Sequence, residues 1–170
     1  MKNLFLKTAF TFFFFSLFES CNEKVFKEDI GYIIGVENIE IRNSVSLTDV
    51  SGFGKGISLE IYELDNSSIL KFQNKSPKSL PDKKGKNKWK KSNWRETPID
   101  SFTQKIAICL NYLGGNEKLE FEFNKIKKIL NYSKNYTACY YKLFIEIPNK
   151  LEFYILDTAN SKLYCIDYSF

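Results

Sequence analysis

The sequence predicts a single α+β domain over residues 29–170, with an antiparallel sheet packed against a helical pair. Near both ends of this range, apolar residues alternate with polar ones, as in half-buried strands. Between these regions they recur every three or four residues, as in amphipathic helices. The chain has 170 residues, including 16 Phe and 10 Tyr, which is enough to bury a core. We expect an N-terminal hairpin and a C-terminal three-stranded meander in one sheet, with helices on one side.

The start of the chain predicts an export signal over residues 1–20. Lys2 and Lys7 provide a basic end, and a phenylalanine-rich apolar segment follows over residues 9–18. This segment is shorter than the roughly 20 apolar residues of a permanent transmembrane helix. We therefore expect its removal.

The junction Phe18-Glu19-Ser20-Cys21 resembles the signal of bacterial lipoproteins, in which a large apolar residue and two small residues precede an invariant cysteine. Glu19 stands where a small residue is usual. The asparagine-rich and phenylalanine-rich style also resembles lipoproteins of the Bacteroidota. The resemblance implies cleavage before Cys21, a diacylglyceryl thioether on its sulfur and often an added N-acyl chain, which together give durable membrane anchoring.

Residues 21–28 would then be the lipid attachment site and a short spacer, and the domain would work in the cell envelope, outside the cytoplasm. Two alternatives are an ordinary signal peptide cut nearby, which leaves Cys21 as a thiol, and an uncleaved anchor.

A helical turn or loop at residues 29–35 is followed by two predicted strands. Apolar residues alternate along both: Ile39, Ile41, Val45 and Leu47 in the first, then Ile57, Leu59 and Ile61 in the second. Residues 49–56, between them, contain three glycines and Lys55, but their spacing does not match a phosphate-binding loop. We expect a flexible hairpin connection.

A short helix follows the two strands, and Asn66 or Ser67 can cap its N-terminus. The composition then changes sharply: between Lys71 and Arg95, ten basic residues accompany a single acid, Asp82. Prolines and a glycine interrupt regular structure here. We therefore predict a basic loop at about residues 75–96.

The basic loop is the candidate binding surface, because lysine and tryptophan together suit anionic surfaces. In the envelope the candidate partners are lipid head groups, an acidic glycan or an acidic protein; nucleic acid fits the charge but not the location. The alternative is a solvated loop whose tryptophans cap the core. The candidate binding residues are Lys83, Lys84, Lys86, Lys88, Trp89, Lys90, Lys91 and Trp94.

Two helices are predicted next. Thr97-Pro98-Ile99-Asp100 places a capping threonine, a proline and an acid at the start of the first, and Gly114-Gly115 ends it. Asn116 caps the second, and the short link predicts an antiparallel pair. Apolar stripes run along both helices: Ile99, Phe102, Ile106, Cys109, Leu110 and Leu113, then Leu119, Phe123, Ile126 and Leu130.

Three strands complete the domain. A three-residue turn at residues 148–150 would place Ile145 opposite Phe153, and one at residues 158–160 would place Phe153 opposite Cys165. Cys139 and Cys165 would then lie about 20 Å apart, so we expect free thiols. The shared inner face would contain Cys139, Tyr141, Leu143, Ile145, Ile147, Leu151, Phe153, Ile155, Leu163 and Cys165.

The outer face of these strands is aromatic. It includes Tyr140, Phe144, Tyr154, Leu156, Tyr164, Ile166 and Tyr168. This face either binds a partner or is covered by the N-terminal strands or the basic loop. Aromatic stripes are usually core, so we expect coverage.

The chain has no histidine, which excludes Ser-His and Cys-His nucleophile pairs and histidine-ligated zinc. We expect no metal, no cofactor and no catalysis. The predicted function is a lipid-anchored binding module that recognises an anionic macromolecule or protein, by analogy an inhibitor or immunity-like protein. The alternatives are an envelope hydrolase acting on glycan or lipid through carboxylates such as Glu60, Glu63 or Asp157, and a purely structural lipoprotein.

Overall fold

Six antiparallel strands form one sheet in the computed structural model, which describes residues 29–51, 55–75, 78–82, 89–111, 114–144 and 147–169. The strands are β1 (Ile41–Ser51), β2 (Lys55–Leu64), β3 (Lys90–Glu96), β4 (Tyr136–Phe144), β5 (Ile147–Asp157) and β6 (Lys162–Ser169). Their order across the sheet is β1-β2-β6-β5-β4-β3. The N-terminal hairpin and the C-terminal meander therefore join through β2 and β6, and the predicted single α+β domain is confirmed.

The described helices are α1 (residues 29–34), α2 (Asn66–Gln73), α3 (Ser101–Ile106) and α4 (Glu117–Ile129), with a 3₁₀ turn at Ala107–Asn111 after α3. Asn116 caps α4 as predicted, because its Oδ1 accepts a hydrogen bond from the Leu119 amide at 3.2 Å.

The other two predicted caps are wrong. Asp65 caps α2 in place of Asn66 or Ser67, and Asp100 caps α3 in place of Thr97. A carboxylate is a strong acceptor for the free amides of a first helical turn. Thr97 is instead buried, and its hydroxyl contacts Asn135, beside the first residue of β4.

One face of the sheet packs against α3, the 3₁₀ turn and α4. Phe123 and Ile126 of α4 are fully buried there against Leu59 of β2 and Phe153 of β5. The predicted inward residues of α4 are all buried, as are Cys109 and Leu110 of the 3₁₀ turn. This part of the core follows the helical periodicity of the sequence.

The opposite face packs against α1, α2 and the segment at residues 78–82. Phe72, Leu80 and Trp94 are buried there with Tyr140 and Tyr154 of the sheet. The expectation that helices lie on one side of the sheet is therefore wrong. Tyr140, Tyr154 and Leu156 of the predicted aromatic outer face are covered here, as expected, but α1 and α2 contribute most of the cover, and β1 and β2 extend the sheet instead.

The predicted registers of the meander are wrong. In β4 and β5, Cys139 lies opposite Phe153, and Phe144 pairs with Ile147. Ile145 lies outside the described residues. The predicted turn residue Pro148 instead lies in β5, opposite Leu143 beside a register irregularity, where proline is tolerated.

Between β5 and β6 the turn has four residues, 158–161, and Phe153 lies opposite Ile166. Asp157 accepts hydrogen bonds from the Asn160 backbone at 3.2 Å and side chain at 2.7 Å, which closes this longer turn. A slip of one residue exchanges the faces of a strand. Tyr164 and Ile166 therefore join the α4 side, whereas Leu163 packs on the α2 side with Cys165 against it.

Candidate binding surface

Part of the predicted basic loop is a strand. β3, at one edge of the sheet, includes Lys90, Lys91 and Trp94, so residues 90–96 are not loop. Pairing with β4 satisfies their backbone groups, a tertiary effect that composition does not reveal. Lys83, Lys84, Lys86 and Lys88 lie outside the described residues. We call Lys75, Lys78, Trp89, Lys90 and Lys91 the basic edge.

The chain segment before the undescribed lysines is attached to β3 and β4 by several hydrogen bonds. The Leu80 amide donates to Asn93 Oδ1 at 3.1 Å, and the Trp94 amide donates to the Lys78 carbonyl at 3.1 Å. The Tyr140 hydroxyl donates to the Pro81 carbonyl. Burial raises the pKa of Tyr140, so this hydroxyl stays a donor at physiological pH.

The lysines of the basic edge have different local roles. Lys91 forms an ion pair with Asp82 and donates to the Leu80 carbonyl at 3.0 Å, so its charge is partly compensated. Lys90 is exposed. Lys78 lies over the Tyr136 ring, 3.9 Å from its centroid, a cation–π contact.

The two tryptophans of this segment differ in burial: Trp94 lies in the core, and Trp89 lies at its margin. Trp94 is only 6% exposed; its Nε1 donates to the Ile33 carbonyl of α1 at 3.1 Å, and its ring meets Phe72 edge-to-face at 5.2 Å. A side chain buried to this extent does not fit the predicted role of Trp94 in partner binding. It fits the alternative prediction, in which a tryptophan of this segment packs onto the core. Trp89 is partly buried and packs at the margin of the same cluster.

A groove of about 800 Å³ lies beside the basic edge, between the end of α1 on one side and Lys75 with residues 79–81 on the other. Tyr32, Glu37, Asn38, Lys75 and Ser79 line it. Lys75 Nζ donates to the Gly35 carbonyl at 2.8 Å. Gly35 has a φ of +66°, and an added Cβ there would meet Lys75 Nζ at 2.1 Å, so glycine allows this close approach.

The sequence did not single out this groove. Lys75 was one of many lysines, and neither Tyr32 nor Gly35 belonged to a recognisable motif. Only the packing of α1 against β3 brings them beside the basic edge, through contacts such as that between Trp94 and Ile33.

The carboxylates of the hydrolase alternative do not share one site. Glu60 lies on the α1 side of the sheet and accepts a hydrogen bond from the Tyr62 hydroxyl. Glu63 lies on the other face and pairs with Lys162 at 3.3 Å. Asp157 is buried and accepts from Asn160 in the β5–β6 turn.

A second cleft, of about 230 Å³, contains Glu60 together with Asp29, Glu152 and Asp167. The Tyr154 hydroxyl donates to Glu152 at 2.9 Å, much as Tyr62 donates to Glu60. Burial raises the pKa of Tyr62 and of Tyr154, and the adjacent carboxylates raise both further. These tyrosines therefore act as protonated hydrogen-bond donors to the two glutamates.

Helix caps account for the lowered carboxyl pKa values. Burial raises the pKa of Asp65, but hydrogen bonds from Ser67 and Ser68 outweigh it and lower the pKa to about 2. Hydrogen bonds from Thr103, with the charge of Arg95, lower the pKa of Asp100. Both carboxylates stabilise helix N-termini.

Within the described ranges, no group of three or more Cys, Asp or Glu side chains is arranged to hold a metal ion. No helix of that part of the chain is long and apolar enough to cross a bilayer. The chain matches no protein family, no curated protein and no solved structure.

Proposed function

We propose that this chain is a lipid-anchored protein of the cell envelope, a non-catalytic binding module that recognises an anionic macromolecule through its basic edge and the adjoining lysines at positions 83–88. An acidic protein, an acidic glycan and lipid head groups are the partner chemistries that this charge suits. An inhibitor or immunity-like role is consistent with such binding.

The observation that supports this proposal is the attachment of the lysine run at both ends. Residues 78–82 are hydrogen-bonded to β3 and β4 before the run, and β3 begins at Lys90 after it. The described residues on the two sides of positions 83–88 therefore both lie at the β3 edge of the sheet, near the groove lined by Lys75. Attachment of both ends lowers the conformational entropy that a basic segment loses when it binds a partner.

The test is capture of partners from envelope extracts by the full chain in detergent. A charge-neutralised variant replaces six lysines by glutamine: Lys83, Lys84, Lys86, Lys88, Lys90 and Lys91. A control with the same charge change replaces six others: Lys105, Lys118, Lys125, Lys127, Lys128 and Lys134. We expect a partner that the unmodified chain and the control retain and the first variant loses. Its binding should weaken as salt rises from about 0.05 to 0.5 M, since exposed charges are screened.

Treating the retained material with protease or with glycosidase tells a protein partner from a glycan. Adding vesicles that contain anionic lipid tests whether lipid head groups compete for the same surface. Equal retention by the two variants would show that total charge, and not this surface, is responsible. Retention by neither the unmodified chain nor the variants would contradict the binding proposal.

The anchoring part of the proposal rests on the junction at Cys21. Replacing Cys21 by Ser removes the sulfur that the lipoprotein resemblance implies is acylated, so the chain should move from the membrane fraction to the soluble fraction. Ser20→Ala, which keeps a small residue before the cysteine, should leave the fractionation unchanged. A Cys21→Ser protein that stays with the membrane would rule out the lipid as its sole attachment.

A further inference from the structure

The α1 side of the sheet contains a cleft that is rich in carboxylates. We call it the acidic cleft; it measures about 230 Å³ and is lined by Asp29, Glu60, Glu152 and Asp167. The last three lie on β2, β5 and β6, which are neighbours in the sheet. Four negative charges in one small cleft attract a cation. The described carboxylates are not arranged to hold a metal ion, so the cation that fits is an organic one, such as a lysine ammonium group.

Two of these carboxylates lie directly opposite each other in the sheet. Glu152 of β5 pairs with Asp167 of β6, and Asp167 in turn lies opposite Ser58 of β2. Opposed residues of an antiparallel pair share a face, and like charges in this arrangement destabilise a sheet. Asp167 is exposed and Glu152 is partly buried, so a cation can approach both. An ammonium group beside them replaces repulsion with attraction.

The described part of the chain begins at this cleft. Asp29 is the first described residue and also belongs to the lining. The preceding spacer, residues 21–28, contains Lys24 and Lys27. Because a chain advances at most about 3.6 Å per residue, the Cα atoms of Lys27 and Lys24 lie within about 7 and 18 Å of the Asp29 Cα. The cleft spans β2, β6 and β5, two strand spacings of about 4.8 Å. Both lysines can therefore reach its carboxylates.

Position in the chain, more than net charge, selects the spacer as the occupant. Glu23 and Glu28 flank the two lysines, so the spacer has no net charge of its own. A group tethered a few residues from its site, however, has an effective concentration of about millimolar or higher. A separate basic protein must compete with that concentration and must also lose translational and rotational freedom on binding. The two spacer lysines are therefore favoured over a cation from another molecule.

We propose that residues 21–28 bind the acidic cleft of their own chain, with the ammonium groups of Lys24 and Lys27 among its carboxylates. Exposed ion pairs are individually weak, so this binding depends on several pairs and on the short tether together. The bound spacer places positive charge beside the opposed Glu152 and Asp167.

This contact sets the orientation of the domain at the membrane. If Cys21 carries the lipid proposed above, the three steps from Cys21 to Lys24 span at most about 11 Å. The bound spacer then holds the α1 side of the sheet, which also contains the groove lined by Lys75, close to the bilayer. Only this orientation depends on the proposed lipid; the contact between the spacer and the cleft does not.

Carbodiimide coupling of the full chain in detergent tests the contact directly. The reagent joins a lysine amine to a carboxylate that touches it, as an amide with no added atoms. In protein of single-chain mass, we expect peptides that join either spacer lysine to Glu152 or Asp167, identified by mass spectrometry. Lys162 and Glu63 are the positive control, because their Nζ and Oε1 atoms lie 3.3 Å apart. Coupling of the spacer to Glu117, on α4 at the other face of the sheet, measures random collision.

Cleavage of the full chain by a lysine-specific protease provides a second readout. The protease needs a detached spacer, so the rate of cleavage after the spacer lysines follows the detached fraction. Glu152→Gln combined with Asp167→Asn should raise this rate at least about threefold, because the cleft loses two charges. Gln keeps an acceptor for the Tyr154 hydroxyl. Glu117→Gln combined with Glu120→Gln removes the same charge from α4 and should leave the rate unchanged.

Circular dichroism checks that the cleft variant is folded. If it is not, Asp167→Asn alone replaces it, since Asp167 is exposed. A folded cleft variant whose spacer is cleaved at the unmodified rate would overturn the proposal.

Two results of the coupling experiment would also overturn it. One is coupling of the spacer lysines to the cleft that does not exceed their coupling to Glu117, although Lys162 couples to Glu63. The other is coupling of the cleft carboxylates to a different protein, which would make an external basic partner the occupant. Neither measurement uses an envelope partner or the basic edge, so these results and a failure of the proposed function are distinguishable.

Discussion

At the scale of single residues, the clearest distinction is between Trp89 and Trp94. They lie five positions apart in a basic segment and look equivalent in the sequence. Trp94 connects α1 to β3 through the Ile33 carbonyl and packs on Phe72, whereas Trp89 lies at the margin of that cluster. Trp94 therefore serves stability, and Trp89 is the tryptophan of the basic edge.

We predict that Trp94→Ala lowers the free energy of unfolding by about 3–5 kcal/mol, because a large buried side chain is replaced by a cavity. Trp94→Phe should cost less, about 1–3 kcal/mol, since one aromatic ring still fills part of the site but the Ile33 carbonyl loses its donor. Trp89→Ala truncates a tryptophan that is only partly buried, so it is the comparison and should lower the urea midpoint less than Trp94→Ala does. Equal urea midpoints for Trp94→Ala and Trp89→Ala would contradict the assignment of Trp94 to the core.

At the scale of elements, Asn135 joins the end of α4, the residue after β3 and the β5–β6 turn. Its side-chain amide donates to the Ile129 carbonyl at 3.1 Å, and its Oδ1 accepts from the Thr158 amide at 3.2 Å. Its backbone carbonyl accepts from the Thr97 amide at 2.8 Å. Asn135 is only 6% exposed, so water does not readily replace these bonds.

We predict that Asn135→Ala destabilises the protein by about 1–3 kcal/mol, because partly buried backbone groups at Ile129 and Thr158 lose their partners. The control is Asn131→Ala, the same chemical change at an exposed position where Nδ2 donates to the Lys127 carbonyl. Its effect should stay within about 0.5 kcal/mol. Urea unfolding followed by far-UV circular dichroism measures both, and an equal loss in the two variants would refute a special role for Asn135.

At the scale of the whole molecule, helices cover both faces of one sheet, so the sheet has two hydrophobic cores. Cys109 and Cys139 lie in the core on the α4 side and are 1% and 2% exposed. Cys165 is partly buried and packs against the other core. These three cysteines are free thiols. Burial raises the pKa of both Cys109 and Cys139 to about 12.

We predict that maleimide at pH 8 leaves Cys109 and Cys139 unmodified in the native protein and labels both after denaturation, as peptide mass spectrometry can measure. Their neutral form is favoured by folding, so this stabilisation is complete below the ordinary thiol pKa of 9.0 and is lost as pH rises through about 12. A reducing agent should leave the melting temperature unchanged. Native labelling of Cys109, or a lower melting temperature after reduction, would contradict this prediction.

Local patterns in the sequence were sufficient for the fold class, the inward face of α4 and its cap at Asn116. A helical stripe and a cap depend on residues within a few positions of one another. The strand β2, with Ile57, Leu59 and Ile61 on one face, was predicted for the same reason. The candidate site was predicted less completely, because Trp94 belongs to the core, and Lys75 with its groove was not identified.

Tertiary structure decided strand register and strand identity where these depend on residues far apart in the chain. The four-residue turn closed by Asp157 and Asn160 shifted β6 by one position and exchanged its faces, although the sequence allowed a shorter turn. Pairing with β4 made a strand of residues 90–96 in a segment whose composition indicates a loop. The sequence by itself determined which segments are amphipathic, because periodicity is local. Only the folded sheet decided which faces meet, since register and coverage depend on contacts between segments far apart in the chain.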